Sequence, residues 1–133
     1  MDKNTVIQGT VIRGRALGGK LGFPTANVRM PHNQSIEVNG VYLARVTITS
    51  IDRQYFALVN VGNRPTVEGD GEPLAEAYLI GYEGTLYGEE IRIELLEYLR
   101  PEKRFDSIDE LRLAIEKDLK NAEKLIETYE SGL

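Results

Sequence analysis

The segment with the densest chemical content reads Gly14-Arg-Ala-Leu-Gly-Gly-Lys-Leu-Gly-Phe-Pro-Thr-Ala-Asn27. Glycines at 14, 18, 19 and 22 leave backbone amides open to close approach, and Arg13, Arg15 and Lys20 add positive charge, a combination suited to phosphate oxygens. Gly14, followed after four residues by Gly19-Lys20, nearly spells a P-loop, but Leu21 stands where a Mg²⁺-binding serine or threonine belongs. Pro24 cannot sit inside the helix that such a loop opens, so the P-loop fold is excluded while part of its electrostatic logic survives. On composition alone a glycine-rich hairpin turn accounts for the same residues, and is the favoured reading. Thr25 and Asn27 alternate along an extended segment, so both side-chain oxygens can point one way. A hydroxyl and an amide carbonyl are hard neutral oxygens of the kind Mg²⁺ takes beside phosphate and water. Taken alone, the pair reads more simply as a turn bonding its own backbone.

The elements that must position these residues change character along the chain. Twelve of the thirteen glycines lie in residues 1–88, which have the punctuation of short strands and tight turns. Thr5–Arg13 and Val41–Thr49 are rich in β-branched residues, and Tyr42, Ala44, Val46 and Ile48 share one face at period two. Gln54–Val61 sets Tyr55, Ala57, Val59 and Val61 against Phe56, Leu58 and Asn60. Leu74–Tyr82 places Glu76 with Tyr78, Ile80 and Tyr82, opposite Ala77 and Leu79, while Glu89–Leu99 aligns Ile91, Ile93, Leu95 and Leu99. Gly81–Gly88 has the look of a hairpin connection. Five or six strands with no helix between them fit an antiparallel barrel or sandwich rather than a βαβ fold. Ser107-Ile-Asp-Glu110 is a capping box. From it Ile108, Leu111, Ile115, Leu119, Ala122, Ile126 and Tyr129 form one apolar stripe of a helix ending near Tyr129 or Glu130.

Composition removes whole classes of function. The chain has 133 residues, the size of one domain, and no cysteine, which excludes disulfides, zinc–cysteine sites and thiol catalysis. The single histidine, His32, excludes His-pair metal sites and argues against a Ser-His-Asp triad. A net charge of −5 argues against a protein that wraps nucleic acid. Residues 1–40 nonetheless carry five bases against two acids, which suggests a small anionic ligand there, although chance accounts for the imbalance equally well. No apolar run approaches the ~18 residues that a spanning helix needs, and Asp2-Lys3-Asn4 is no signal peptide, so a cytoplasmic protein is expected.

Gly22-Phe-Pro-Thr-Ala-Asn27, preceded by Val11-Ile-Arg-Gly14, resembles the signature of the riboflavin kinase (flavokinase) family. Asn60-Val-Gly-Asn-Arg-Pro-Thr66, Glu76 followed by Gly84-Thr-Leu-Tyr-Gly88, and Leu99-Arg-Pro-Glu-Lys-Arg-Phe-Asp-Ser107 match further family segments in the right order. The resemblance implies a mainly β fold, a six-stranded antiparallel, Greek-key-like closed barrel with a C-terminal helix packed against it. One domain over 1–133 is expected, with the barrel at about 5–99 and the helix at about 107–130. It implies transfer of the ATP γ-phosphoryl group to the 5′-hydroxyl of riboflavin, giving FMN and ADP, with Mg²⁺ or another divalent cation.

By that resemblance Glu76 falls at the catalytic carboxylate, and Thr25 and Asn27 at the metal-binding pair. Arg13, Gly14, Gly18, Gly19, Lys20, Gly22 and Pro24 fall in the ATP-binding flap, and Arg100, Glu102 and Phe105 in the segment approaching the flavin. Without the resemblance, Glu76 would read as an exposed strand glutamate. Tyr78 stands where many relatives have a histidine, and Leu17, Gly19 and Lys20 where many bacterial relatives have arginines. The implied partners are riboflavin and ATP, with no nucleic acid and no membrane, for a monomer that stands alone or is joined to an FMN adenylyltransferase domain in a longer parent chain. A non-catalytic flavin- or nucleotide-binding regulatory barrel is the alternative; it predicts loss of Glu76 or of the Thr25/Asn27 pair, and all three are present.

Overall fold

The computed structural model describes residues 5–12, 25–30, 39–64, 72–103 and 105–131. Its strands are β1 (Val6–Ile12), β2 (Ala26–Arg29), β3 (Gly40–Ile48), β4 (Arg53–Arg64), β5 (Glu72–Leu79) and β6 (Glu90–Arg100), and its long helix is α1 (Ile108–Glu130). Every strand pair is antiparallel, and the sheet closes in the order β1-β2-β5-β4-β3-β6, with β6 returning to β1. Closure gives every described strand a neighbour on both sides, although β1 and β2 meet only at Val11–Val28 and Ile12–Asn27. The chain forms two compact units, residues 1–102 and 103–133. No helix among the described residues is long and apolar enough to cross a membrane.

Period-two alternation sends one side of each strand into the barrel. Ile7 and Val11, Ala26 and Val28, Ala44, Val46 and Ile48, Ala57, Val59 and Val61, Ala75 and Ala77, and Ile91 and Ile93 form one buried cluster. Its large isoleucines come from β1, β3 and β6, while β2, β5 and β4 line their share mostly with alanine and valine. A Cβ on Gly9 of β1 would stand 2.8 Å from Val28 Cγ1, so that position has no room for a larger residue.

The hairpin expected at Gly81–Gly88 is not one, because β5 and β6 are not neighbours in the barrel. Gly81, Gly84 and Gly88 all have positive φ, and between them Leu86 turns into the core cluster. The Gly88 amide then donates to the Val11 carbonyl at 3.0 Å, which delivers the chain to the β1 side. Tyr82 lies beyond the end of β5 and meets Tyr55 edge-on at 5.3 Å, so it packs on the core and does not share the face of Glu76.

The regular face expected through Leu99 is interrupted before it. Two register shifts interrupt the β3–β6 ladder, between Leu43 and Ala44 and between Val41 and Tyr42. Each inserts one residue in β6, so Tyr98 rather than Glu97 stands opposite Tyr42, and the two rings meet edge-on at 5.3 Å. The second shift restores the parity and pairs Arg100 with Val41.

In the second unit, Ser107 caps α1, its hydroxyl accepting from the Glu110 amide at 3.1 Å. The reciprocal bond of the capping box falls one residue early, with the Asp106 amide donating to Glu110 Oε2 at 2.9 Å. Leu111, Ile115, Leu119, Ala122, Ile126 and Tyr129 lie on the covered face, as the stripe predicts, but Ile108 is exposed and the charged Asp118 is buried. Gly132 lies outside the described residues.

Candidate active site

The residues on the outer wall of the barrel follow from those inside it. Since Ala26 and Val28, Ala75 and Ala77, and Val59 and Val61 point inward, Asn27, Glu76 and Asn60 point outward. Asn27 pairs with Glu76 across β2 and β5, and Glu76 pairs with Asn60 across β5 and β4. The three side chains therefore form one row across adjacent strands, with neighbouring Cβ atoms about 4.5–5.5 Å apart. The row continues from Asn60 to Val41 on β3, and from Val41 to Arg100 on β6.

The two asparagines bracketing Glu76 share an unusual property. Asn27 is 3% exposed, and its Nδ2 donates to the Thr25 carbonyl at 3.4 Å, yet its Oδ1 has no hydrogen-bond partner among the described residues. The buried Oδ1 of Asn60 also lacks one. An unmatched buried carbonyl costs about 1–3 kcal/mol, so two beside one carboxylate mark a place built to receive something.

Among the described residues, no group of three histidine, cysteine, aspartate or glutamate side chains is placed to hold a metal. A cation arriving on a nucleotide brings phosphate oxygens and water and needs only one or two neutral protein oxygens. Asn27 Oδ1 fits that demand, and Thr25 lies two residues before it, just ahead of β2.

The other expected site residues divide. Arg100 ends β6, in the same row as Glu76, and its Nη1 donates to the Pro101 carbonyl at 3.1 Å. The Glu102 carboxylate lies where a Cβ on Gly62 would stand, two residues along β4 from Asn60. Arg100, Glu102, Asn27 and Glu76 thus all belong to the barrel unit. Phe105 belongs to the second unit, where the Lys103 ammonium lies 5.8 Å from its ring centre. Arg13, Gly14, Gly18, Gly19, Lys20, Gly22 and Pro24 lie outside the described residues. Asn60 was not among the expected site residues, although an amide on a strand face otherwise bearing Phe56 and Leu58 was the available signal.

Comparison with known proteins bears on the family and the fold. The Flavokinase (riboflavin kinase) family model matches residues 1–126. A Bacillus subtilis protein named RNA-binding riboflavin kinase RibR is 39% identical over 124 residues, covering 92% of this chain and 52% of its own. A bifunctional riboflavin kinase/FMN adenylyltransferase from Haemophilus influenzae is 38% identical over 116 residues, covering 87% of this chain and 37% of its own. The chain thus spans about half or less of the length of these relatives. The solved riboflavin kinase of Trypanosoma brucei superposes with a TM-score of 0.66 at 20% identity, covering 95% of this chain and 82% of that one, a likeness of fold. With the family match running through all six described strands and most of α1, this chain belongs to the riboflavin kinase family.

Proposed function

We propose that this chain is a riboflavin kinase that transfers the γ-phosphoryl group of ATP to the 5′-hydroxyl of riboflavin, releasing FMN and ADP. The observation that carries the reading is the row Asn27–Glu76–Asn60, a carboxylate between two unmatched carbonyl oxygens, in a chain of this family.

Phosphoryl transfer requires an attacking hydroxyl held in line with the phosphate and charge neutralised around it. In this reading Glu76 accepts the hydroxyl proton as the oxygen attacks, and its place in a hydrogen-bonded strand fixes its position. Asn27, with Thr25, holds the cation that travels with ATP; when bound, that cation supplies positive charge to the phosphate oxygens. Lys20 and the glycine amides of 14–22 grip the remaining phosphates, and Arg100 and Glu102 approach the flavin. The same reading places the chain in the cytoplasm as a monomer, alone or joined to an FMN adenylyltransferase domain in a longer parent chain, the last supported by the double name of the Haemophilus relative.

The test is direct. Purified protein is incubated with riboflavin, ATP and Mg²⁺, and the flavins are separated with fluorescence detection. FMN formed only when all three are present is the expected result. No FMN, with riboflavin fluorescence quenched by the protein, would instead identify a binding module.

A finer test concerns the acceptor side. In Gly62→Ala the added methyl displaces the Glu102 carboxylate, the far end of a flexible side chain, so the fold loses little. If Glu102 meets the flavin, the KM for riboflavin rises roughly 3–10-fold while the KM for ATP holds. Equal rises in both would remove Glu102 from the flavin side.

A further inference from the structure

We infer that Asn60 is a specificity-determining residue, its Oδ1 accepting a hydrogen bond from a secondary hydroxyl of the acceptor's polyol chain while Glu76 receives the primary one; the inference rests on the kinase reading above. Asn60 is the register partner of Glu76 on the opposite side from Asn27. Its Oδ1 is buried and lacks a hydrogen-bond partner among the described residues, so it awaits a donor.

The choice of donor follows from chemistry. A carbonyl oxygen only accepts, and so does an ionised phosphate, so ATP oxygens are poor company for it. Two strand spacings separate Asn60 from Asn27, roughly 9–10 Å between backbones, whereas Mg²⁺ holds its ligands at about 2.0–2.1 Å. One cation seated at Asn27 therefore leaves Asn60 to the other side of Glu76. That side carries Gly62 with the Glu102 carboxylate, and Arg100 further along the row. A polyol presents hydroxyls on successive carbons, so the one beside the reacting hydroxyl comes within reach of the strand beside Glu76. A hydroxyl is also a donor that an alkyl analogue cannot replace, and selection against such analogues follows.

The experiment compares riboflavin with 3′-deoxyriboflavin and 4′-deoxyriboflavin as acceptors, in the wild-type protein and in Asn60→Leu and Asn60→Ala, following FMN or its deoxy analogue. Wild type is expected to lose about 10–100-fold in kcat/KM on one of the two deoxy acceptors. In both Asn60 variants that discrimination collapses, because riboflavin falls to the level of the deoxy acceptor. The melting temperature of Asn60→Leu holds or rises, since an unmatched buried carbonyl is removed. Three results overturn the inference: wild type using all three acceptors alike, Asn60 variants depressed by one factor on every acceptor, or a loss recovered by raising Mg²⁺. Absence of FMN from wild type with riboflavin itself overturns the kinase reading and the inference with it, which is a distinguishable failure.

Discussion

Glu76→Gln is expected to lower kcat by about 10²–10⁴-fold while leaving ATP and riboflavin binding close to wild type. Glutamine keeps the length and shape of glutamate and can still orient a hydroxyl, but it cannot take up a proton. The substitution lies on an outward position between Ala75 and Ala77, both fully buried, so the core is untouched. Strand pairing of residue 76 with residues 27 and 60 is made by backbone groups and survives. The loss therefore falls on the chemical step rather than on assembly of the site. Single-turnover FMN formation, with dissociation constants from flavin fluorescence, separates the two. Near-normal turnover would remove Glu76 as the base.

Asn27→Leu is expected to do two things that ordinarily oppose one another. The side chains have nearly the same shape, but leucine offers a cation no oxygen, so the Mg²⁺ concentration needed for half-maximal rate rises at least about tenfold. The same change removes a buried carbonyl without a partner, a group that costs about 1–3 kcal/mol where it stands. The amide bond to the Thr25 carbonyl is long, 3.4 Å, and its loss offsets only part of that gain. The variant should therefore melt at or above the wild-type temperature while working poorly. A Mg²⁺ titration of the rate and a thermal melt decide it. An unchanged titration would refute the assignment of Asn27, and a lower melting temperature would show its oxygen to be a structural acceptor.

Much of this was readable from residue patterns, for a physical reason. Alternation is local, so Ala44, Val46 and Ile48, or Ala57, Val59 and Val61, announce an inward face wherever their strand lies in the sheet. Inwardness at 75, 77 and 79 then forces Glu76 outward, and Ser107 with Glu110 marks a helix start within four residues. What was not readable depends on which strands meet. Gly81, Gly84 and Gly88 suit a hairpin and a crossing connection equally, because positive φ is required by both. The insertions in β6 that bring Tyr98 opposite Tyr42 follow from pairing with β3, and alternation along β6 alone does not announce them. Asn60 escaped for the same reason. Its meaning comes from pairing with Glu76, and an isolated polar residue on a strand's outer face is ordinary.

The row of Asn27, Glu76 and Asn60 also has a meaning in time. Strands β3, β4 and β5 follow one another along the chain and can zip from neighbour to neighbour. Asn27 meets Glu76 only when β2 docks on β5, a pairing between distant parts of the sequence that costs loop entropy before it returns any contact. Half of the row can thus exist in a partly folded chain, with the carboxylate and Asn60 aligned and the asparagine opposite still absent. If the proposed kinase activity needs the whole row, it arrives with barrel closure and reports completion of the fold more strictly than strand content does.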